Sequence, residues 1–114
     1  EKDRIKVVTD EILTPTPTML ISEKTVEIIK NYSSGLYHLT CEGYCSWYEF
    51  ATKIFEILKT ETKVEKATNS EFPSTVNRPN YSVLENTNYN KYSNIKLPKW
   101  DVALLDFLKK NYLN

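Results

Sequence analysis

The sequence predicts the α/β class, as a small α+β lobe of three to four helices with short strands, and three observations predict it. Ser46-Trp47-Tyr48-Glu49 has the spacing of a capping box: the serine hydroxyl can accept from the N–H three residues on, and the glutamate can reach back to the N–H of Ser46. Behind it Trp47, Phe50, Ala51, Ile54, Phe55 and Leu58 recur at three- and four-residue steps, with Glu49, Thr52, Lys53, Glu56 and Lys59 between them, which makes one apolar stripe on a helix. Arg4–Thr9 alternates polar and apolar and closes on two valines, the pattern of a strand with one buried face.

In chain order, Asp10 ends the first strand, and Asp10–Thr18 is expected to be a loop because Pro15 and Pro17 remove N–H donors and bias their predecessors away from helix. Thr16 or Thr18 is expected to cap a helix over Met19–Lys30, with Pro17 in its first turn and Ile21, Thr25, Ile28 and Ile29 on one face. The stretch Asn31–Gly35 stops it. Leu36–Thr40 is aromatic, β-branched or large and is bounded by Gly35 and Glu42-Gly43, so it reads as a short strand ahead of the capped helix. The apolar stripe of that helix should nucleate the core, at roughly 1.5–3 kcal/mol for each large side chain buried. Thr62–Ala67 is charged enough to form an edge strand. Asn69–Pro73 reads as a turn or a single helical turn, and Ser74–Tyr81 as a loop without apolar periodicity. A short helix follows Asn86, with Tyr89, Tyr92 and Ile95 on it and Lys96-Leu97-Pro98 breaking it. Trp100, Ala103, Leu104, Phe107 and Leu108 then share one face of a last helix over Lys99–Tyr112, whose Lys109 and Lys110 complement the carboxyl end of its dipole. No repeat or linker interrupts the order, and residues 1–114 are expected to form a single domain.

Fifteen basic and fifteen acidic residues cancel, which argues against a general electrostatic grip on nucleic acid or on an anionic membrane. No apolar run approaches the roughly 18 residues of a membrane span, and the start EKDRIKVV has no apolar signal region, so the expected compartment is the cytoplasm. A first residue Glu1 rather than Met suggests a processed form or a fragment. Cys41 and Cys45 have no second cysteine pair and only one histidine for company, so they are expected to be reduced and not to bind a metal.

Dinucleotide and P-loop sites need glycines where backbone meets phosphate, whereas this chain has only Gly35 and Gly43, neither in such a loop. His38 is the single histidine and lies in the apolar Leu36–Thr40 run, where a structural role is favoured over a catalytic one. Tyr92 and Lys96 have the Tyr-x-x-x-Lys spacing of short-chain dehydrogenases, but eight tyrosines and thirteen lysines make a chance match easy, and Asn94 and Pro98 weaken the helix that the geometry requires. Arg78 precedes Pro79 in a polar loop with Asn77, Asn80 and Tyr81. Its guanidinium either grips a phosphate or carboxylate through two parallel hydrogen bonds or simply bonds loop carbonyls at the surface.

The segments VVTDEILTPTPT, GLYHLTCEGYCSWYEFATKIFE, SEFPSTVNRPNYSVLENT and IKLPKWDVALLDFL together resemble, over nearly the whole chain, the carboxyl-terminal part of the dTDP-4-dehydrorhamnose reductases, extended short-chain dehydrogenases. The Gly-x-Tyr-His run with its Cys-Ser-Trp-Tyr-Glu-Phe cap is the most specific block, and Arg78, Pro79, Ser82 and Leu84 form the second. The resemblance implies the substrate domain of a Rossmann-type enzyme without the Rossmann half. That half carries the glycine-rich cofactor loop and the catalytic Thr, Tyr and Lys, so this chain would hold no catalytic residue and bind no cofactor by itself, while the full-length family uses NADH or NADPH to reduce the 4-keto group of dTDP-4-dehydro-β-L-rhamnose.

The resemblance further implies a dTDP-sugar as ligand and a Rossmann domain, in cis or in trans, as partner. Asp10, Thr14, Pro15 and Thr16 match the family's Asp-Gln-x-Gly-Ser/Thr-Pro-Thr loop bordering the substrate cleft, and Arg78 matches the arginine placed to meet the diphosphate. Glu11 stands where Gln is usual, Leu13 where Gly is usual and Pro17 where an aromatic is common; Leu13 suggests a rearranged loop and Glu11 adds negative charge near the ligand. The other readings are a non-catalytic regulatory or protein-interaction module derived from the same fold, and a plain fragment. In each case the apolar seam left exposed where a Rossmann half would pack would favour self-association.

Overall fold

The computed structural model describes residues 4–32, 34–72 and 78–113. The expected loop over Ser74–Asn77, Pro73 before it and Ser33 in the expected helix stop lie outside the described residues. In chain order the elements are β1 (Arg4–Val8), β2 (Ile12–Leu13), α1 (Thr18–Asn31), β3 (Cys45–Ser46), α2 (Trp47–Leu58), β4 (Lys63–Ala67), a 3-10 turn at Asn69–Glu71, α3 (Thr87–Tyr92) and α4 (Trp100–Asn111). β1 and β4 pair in parallel, from Arg4 opposite Lys63 to Val8 opposite Ala67. β2 and β3 pair antiparallel, Ile12 with Ser46 and Leu13 with Cys45. The ladder with β3 gives the Asp10–Thr18 loop a two-residue strand that its own prolines do not announce.

Helix α2 forms as its cap dictates. Ser46 Oγ accepts from Glu49 N–H at 3.0 Å, and Glu49 Oε1 accepts from Ser46 N–H at 2.8 Å. Lys59 in the left-handed region, at φ 56°, ends the helix. The helix packs on β1, β4 and α4, yet none of its residues is fully buried, and Trp47 is 41% exposed. The fully buried apolar side chains are instead Cys41, Cys45, Ala67, Tyr89, Leu97, Ala103, Leu104 and Leu108. The shape explains this. The chain is a slab of 48 × 39 × 19 Å, and 19 Å admits only two layers of elements about 10 Å thick. Its radius of gyration of 16.4 Å exceeds the about 13 Å of a compact chain of this length. Its accessible surface of 8452 Å² likewise exceeds the about 6,500 Å² expected for its mass. One side of α2 therefore faces an apolar groove of about 570 Å³ shared with Trp100, Leu104 and Phe107 of α4 and with Pro15 and Pro17.

Two expectations about local structure are corrected. Neither Thr16 nor Thr18 caps α1: Pro17 is the N-cap, with no side-chain bond there. The Thr16 hydroxyl is taken by tertiary partners, donating to Thr14 O at 3.2 Å and accepting from Cys41 N–H at 3.1 Å. Leu36–Thr40 has no strand pairing, because side chains satisfy its backbone instead. Thr40 N–H donates to Asn86 Oδ1 at 2.9 Å, Asn86 Nδ2 donates to Thr40 O at 2.7 Å, and Asn88 Nδ2 donates to Leu36 O at 2.6 Å. Asn86 is 3% exposed and reproduces both bonds of a ladder pair.

Helix α1, with no fully buried residue, is held by a polar cluster. The Glu27 carboxylate accepts from Tyr32 Oη and, at 3.1 Å, from Tyr89 Oη, and Lys24 Nζ lies 3.4 Å from its other oxygen. Tyr32 stacks on Tyr92 at 5.4 Å, so the cluster fastens α1 to α3. α3 stops at Tyr92, before Ile95, so Tyr92 and Lys96 share no helical turn and the dehydrogenase-like spacing is coincidental.

Truncating Asn86 to Ala strips partners from the N–H and C=O of buried Thr40, and is expected to lower unfolding stability by about 2–3 kcal/mol in urea titrations. Hydrogen bonding from Tyr32 holds the Glu27 carboxyl below its ordinary pKa, against opposing partial burial and with help from Tyr89 and Lys24. A depressed folded-state pKa stabilises the fold above the unfolded pKa and is lost as pH falls through the folded one. Stability measured from pH 7 to pH 3 should therefore fall more steeply in the native chain than in Glu27→Gln.

Candidate functional site

The carboxyl ends of β1 and β4 lie side by side because the strands are parallel, and the loops that leave them form one end of the slab. In open α/β sheets this is where ligands bind. Thr9 N–H donates to Ala67 O at 2.8 Å and carries the pairing past the strand. Asp10 then turns its carboxylate to Asn69 N–H, accepting at 3.0 Å and 3.3 Å. Asn69 Nδ2 donates to Asn80 Oδ1 at 3.1 Å. Ile12 N–H donates to Asn80 O at 2.7 Å, and Ser82 N–H to Ile12 O at 2.9 Å. The two stretches that the sequence singled out separately, Asp10–Thr16 and the Arg78–Pro79 loop, are thus stitched into one surface. Arg78 itself is exposed and makes no ion pair among the described residues.

A third loop, Glu42–Cys45, joins them. Thr14 Oγ1 donates to Gly43 O at 2.6 Å. Glu42 N–H donates to Pro98 O at 2.9 Å, and Trp100 N–H donates to Glu42 O at 3.0 Å. Gly43, at φ +83°, has the Trp100 ring so close that an added Cβ would meet its Cδ1 at 3.3 Å, a tight contact on a backbone conformation that favours glycine. The next side chain, Tyr44, points outward against Tyr81, with ring centroids 6.3 Å apart and planes at 62°. Beside this pair opens a cleft of about 350 Å³ lined by Glu42, Leu84, Glu85, Asn86 and Asn90. Of the expected site residues, Thr14 and Thr16 therefore hold loops in place, Asp10 fastens the Asn69 turn, Pro15 lines the apolar groove and Arg78 stands free at the rim. Leu13, expected to mark a rearranged loop, lies in extended backbone opposite Cys45. No periodicity in the sequence joins Tyr44 to Tyr81; the one local signal is the Gly43-Tyr44 step, which places an aromatic on a turn.

Parallel strand ends, a polar cleft and an exposed guanidinium define a small-molecule-binding lobe of α+β class. The chain belongs to the RmlD substrate binding domain family, whose model matches residues 1–113. It is 35% identical over 109 residues to the spore coat polysaccharide biosynthesis protein SpsK of Bacillus subtilis, covering 96% of this chain and 38% of that one. It is 26% identical over 121 residues to the dTDP-4-dehydrorhamnose reductase of Escherichia coli K12, covering 96% and 40%. Among solved structures, a dTDP-4-dehydrorhamnose reductase from Clostridium acetobutylicum superimposes with a TM-score of 0.87 at 37% identity, covering 95% of this chain and 39% of that one. The Bacillus anthracis reductase in complex with NADP gives 0.89 at 30% identity, covering 97% and 39%. The chain spans about two-fifths of the length of these relatives.

Neither glycine forms a strand-to-helix phosphate turn: Gly35 precedes the extended Leu36–Thr40 segment and Gly43 is backed by Trp100. No helix among the described residues is long and apolar enough to cross a membrane.

Both cysteines are free and buried. Burial, with the charges of Glu49 and Asp101 adding to it, pushes the Cys45 thiol up to about 12. Burial also raises Cys41, outweighing its hydrogen bond with Thr16. Thiolate is the reactive form, so at pH 8 iodoacetamide should leave both cysteines unmodified in the native chain and alkylate both in urea, as mass spectrometry would record.

Proposed function

We propose that this chain is the substrate-side lobe of a dTDP-4-dehydrorhamnose reductase-like protein of the cytoplasm. It holds a dTDP-sugar at the joined loops, and a Rossmann domain in cis or in trans supplies the NADH or NADPH site and the catalytic residues that reduce the 4-keto group. The stitching of Asp10–Thr16 to the Arg78 loop carries this reading. Arg78 has no carboxylate partner among the described residues, so its planar fork remains available to the diphosphate through charge-assisted bonds, and the ligand rests against the joined loop that carries Asp10, Thr14, Pro15 and Thr16. Glu11, beside this loop, weakens the field that a dianion meets, and the affinity of the lobe alone is accordingly modest.

The apolar seam supports the Rossmann partner. Met19 (70% exposed), Val26 (50%) and Ile29 (76%) lie along α1, and Leu36 (75%) follows it. Patches of this kind mark interaction surfaces. The same seam favours the second reading, a protein-interaction module of this fold that pairs with itself or another protein and ignores nucleotides.

Amide shifts on titration with dTDP and dTDP-L-rhamnose distinguish the two. Shifts confined to Thr14, Thr16 and Arg78, and weakened about tenfold or more by Arg78→Ala, are expected for the loss of a charged hydrogen-bonding partner. An unchanged spectrum at millimolar ligand would overturn the dTDP-sugar reading.

A further inference from the structure

The Tyr44–Tyr81 pair has no task in the fold. Both rings are 61% exposed, and each sits on a backbone pinned from two sides: Tyr44 by the Thr14 bond to Gly43 and the Trp100 ring beneath that glycine, Tyr81 by the bonds of Asn80 and Ser82 to Ile12. Exposed aromatics on rigid loops present a π-face at little ordering cost. The cleft beside them is lined by the acidic Glu42 and Glu85 with no basic side chain, and Glu42 is already hydrogen-bonded by Asn86 Nδ2 at 3.1 Å. Such a lining repels phosphate and suits an uncharged ring that offers an N–H. Arg78, the nearby cation, is three residues from Tyr81, a reach of at most about 10 Å, on the scale that separates the base of a nucleoside diphosphate from its phosphates.

We infer that the Tyr44–Tyr81 cleft is a nucleobase subsite: an imide-bearing pyrimidine stacks on the tyrosine pair, its ring N–H faces the Glu85 carboxylate and the Asn90 amide meets a ring carbonyl, while the diphosphate turns out to Arg78. This assignment rests on the dTDP-sugar reading of the same loops and deepens it, dividing recognition between a neutral aromatic half and a cationic half. Base stacking on a protein aromatic is sequence-tolerant by itself, so the choice among pyrimidines rests on donor position: the Glu85 carboxylate that takes the ring N–H of an imide meets an acceptor nitrogen at that place in cytosine, whose donor is the exocyclic amino group instead.

The test measures binding of thymidine, dTDP and dCDP to the native chain and to Tyr44→Ala, Tyr81→Ala, Tyr44→Phe, Tyr81→Phe and Arg78→Ala by heteronuclear NMR, which also reports that each variant stays folded. The expected result is that either alanine weakens dTDP and thymidine about tenfold, the phenylalanine variants stay within about twofold, and dCDP binds more weakly than dTDP. Arg78→Ala should weaken dTDP but leave thymidine unchanged. If dTDP binding falls with Arg78→Ala and ignores both tyrosine-to-alanine variants, the base lies elsewhere and the subsite is overturned while the dTDP-sugar reading survives. If none of the three ligands binds at millimolar concentration, both fall together.

Discussion

The Asn86 side chain is the contact on which the remaining architecture depends. Its amide pairs with both backbone groups of Thr40 and bonds the Glu42 carboxylate, from a position that is almost fully buried. Buried backbone groups must be paired, and an unpaired one costs more than a surface bond returns. With Thr40 secured, Leu36–Thr40 runs extended without a sheet neighbour, the Glu42–Cys45 loop leaves in a defined direction, and α3 starts beside the cleft. One amide thus ties the middle of the chain to its carboxyl third and forms part of the cleft lining.

The slab shape sets the energetics. A chain of this length normally closes its apolar stripes against each other, yet here α1 and α2 are each covered on one side only. The buried apolar set is small and centres on α4, on the Cys41–Cys45 stretch and on Tyr89. Polar devices take up part of the work: the Ser46–Glu49 box, the Glu27 cluster that joins α1 to α3, and the Asp10 bond to the Asn69 turn. These are directional contacts that hold a thin object in shape without requiring it to be thick.

At the site, charge and aromatic surface are kept apart. The parallel β1–β4 pair delivers Asp10 and Asn69 to the same end, and their bond draws the Arg78 loop onto the Ile12 backbone. Arg78 is exposed on this loop, and the acidic cleft with its two tyrosines contains no basic side chain. Thr14 and Thr16 act through what they hold, the Gly43 carbonyl and the Cys41 N–H. Changing either would move the loops before it removed any ligand contact.

Much of the local structure was legible in the residues themselves. The capping box, the α2 stripe, the β1 and β4 strands, the 3-10 turn and the last helix each depend on groups within a few positions of one another, and there periodicity and capping chemistry suffice. The candidate loops were legible too, through the Arg-Pro step and the Thr-Pro repeats, but as two separate stretches. Three outcomes depended on partners far along the chain. Thr16 gave up helix capping for Cys41, 25 residues away; Leu36–Thr40 found an asparagine 46 residues beyond Thr40 in place of a strand; and the α2 stripe, whose sequence promised a core, stayed half open because nothing in a two-layer slab reaches its outer side. By itself, then, the sequence determined the elements and their caps, since these are settled by short-range hydrogen bonding and side-chain period. Only the tertiary structure decided which loops meet, which backbone groups are paired by side chains and where Tyr44 finds Tyr81, because those depend on contacts between residues whose separation along the chain carries no periodic signal.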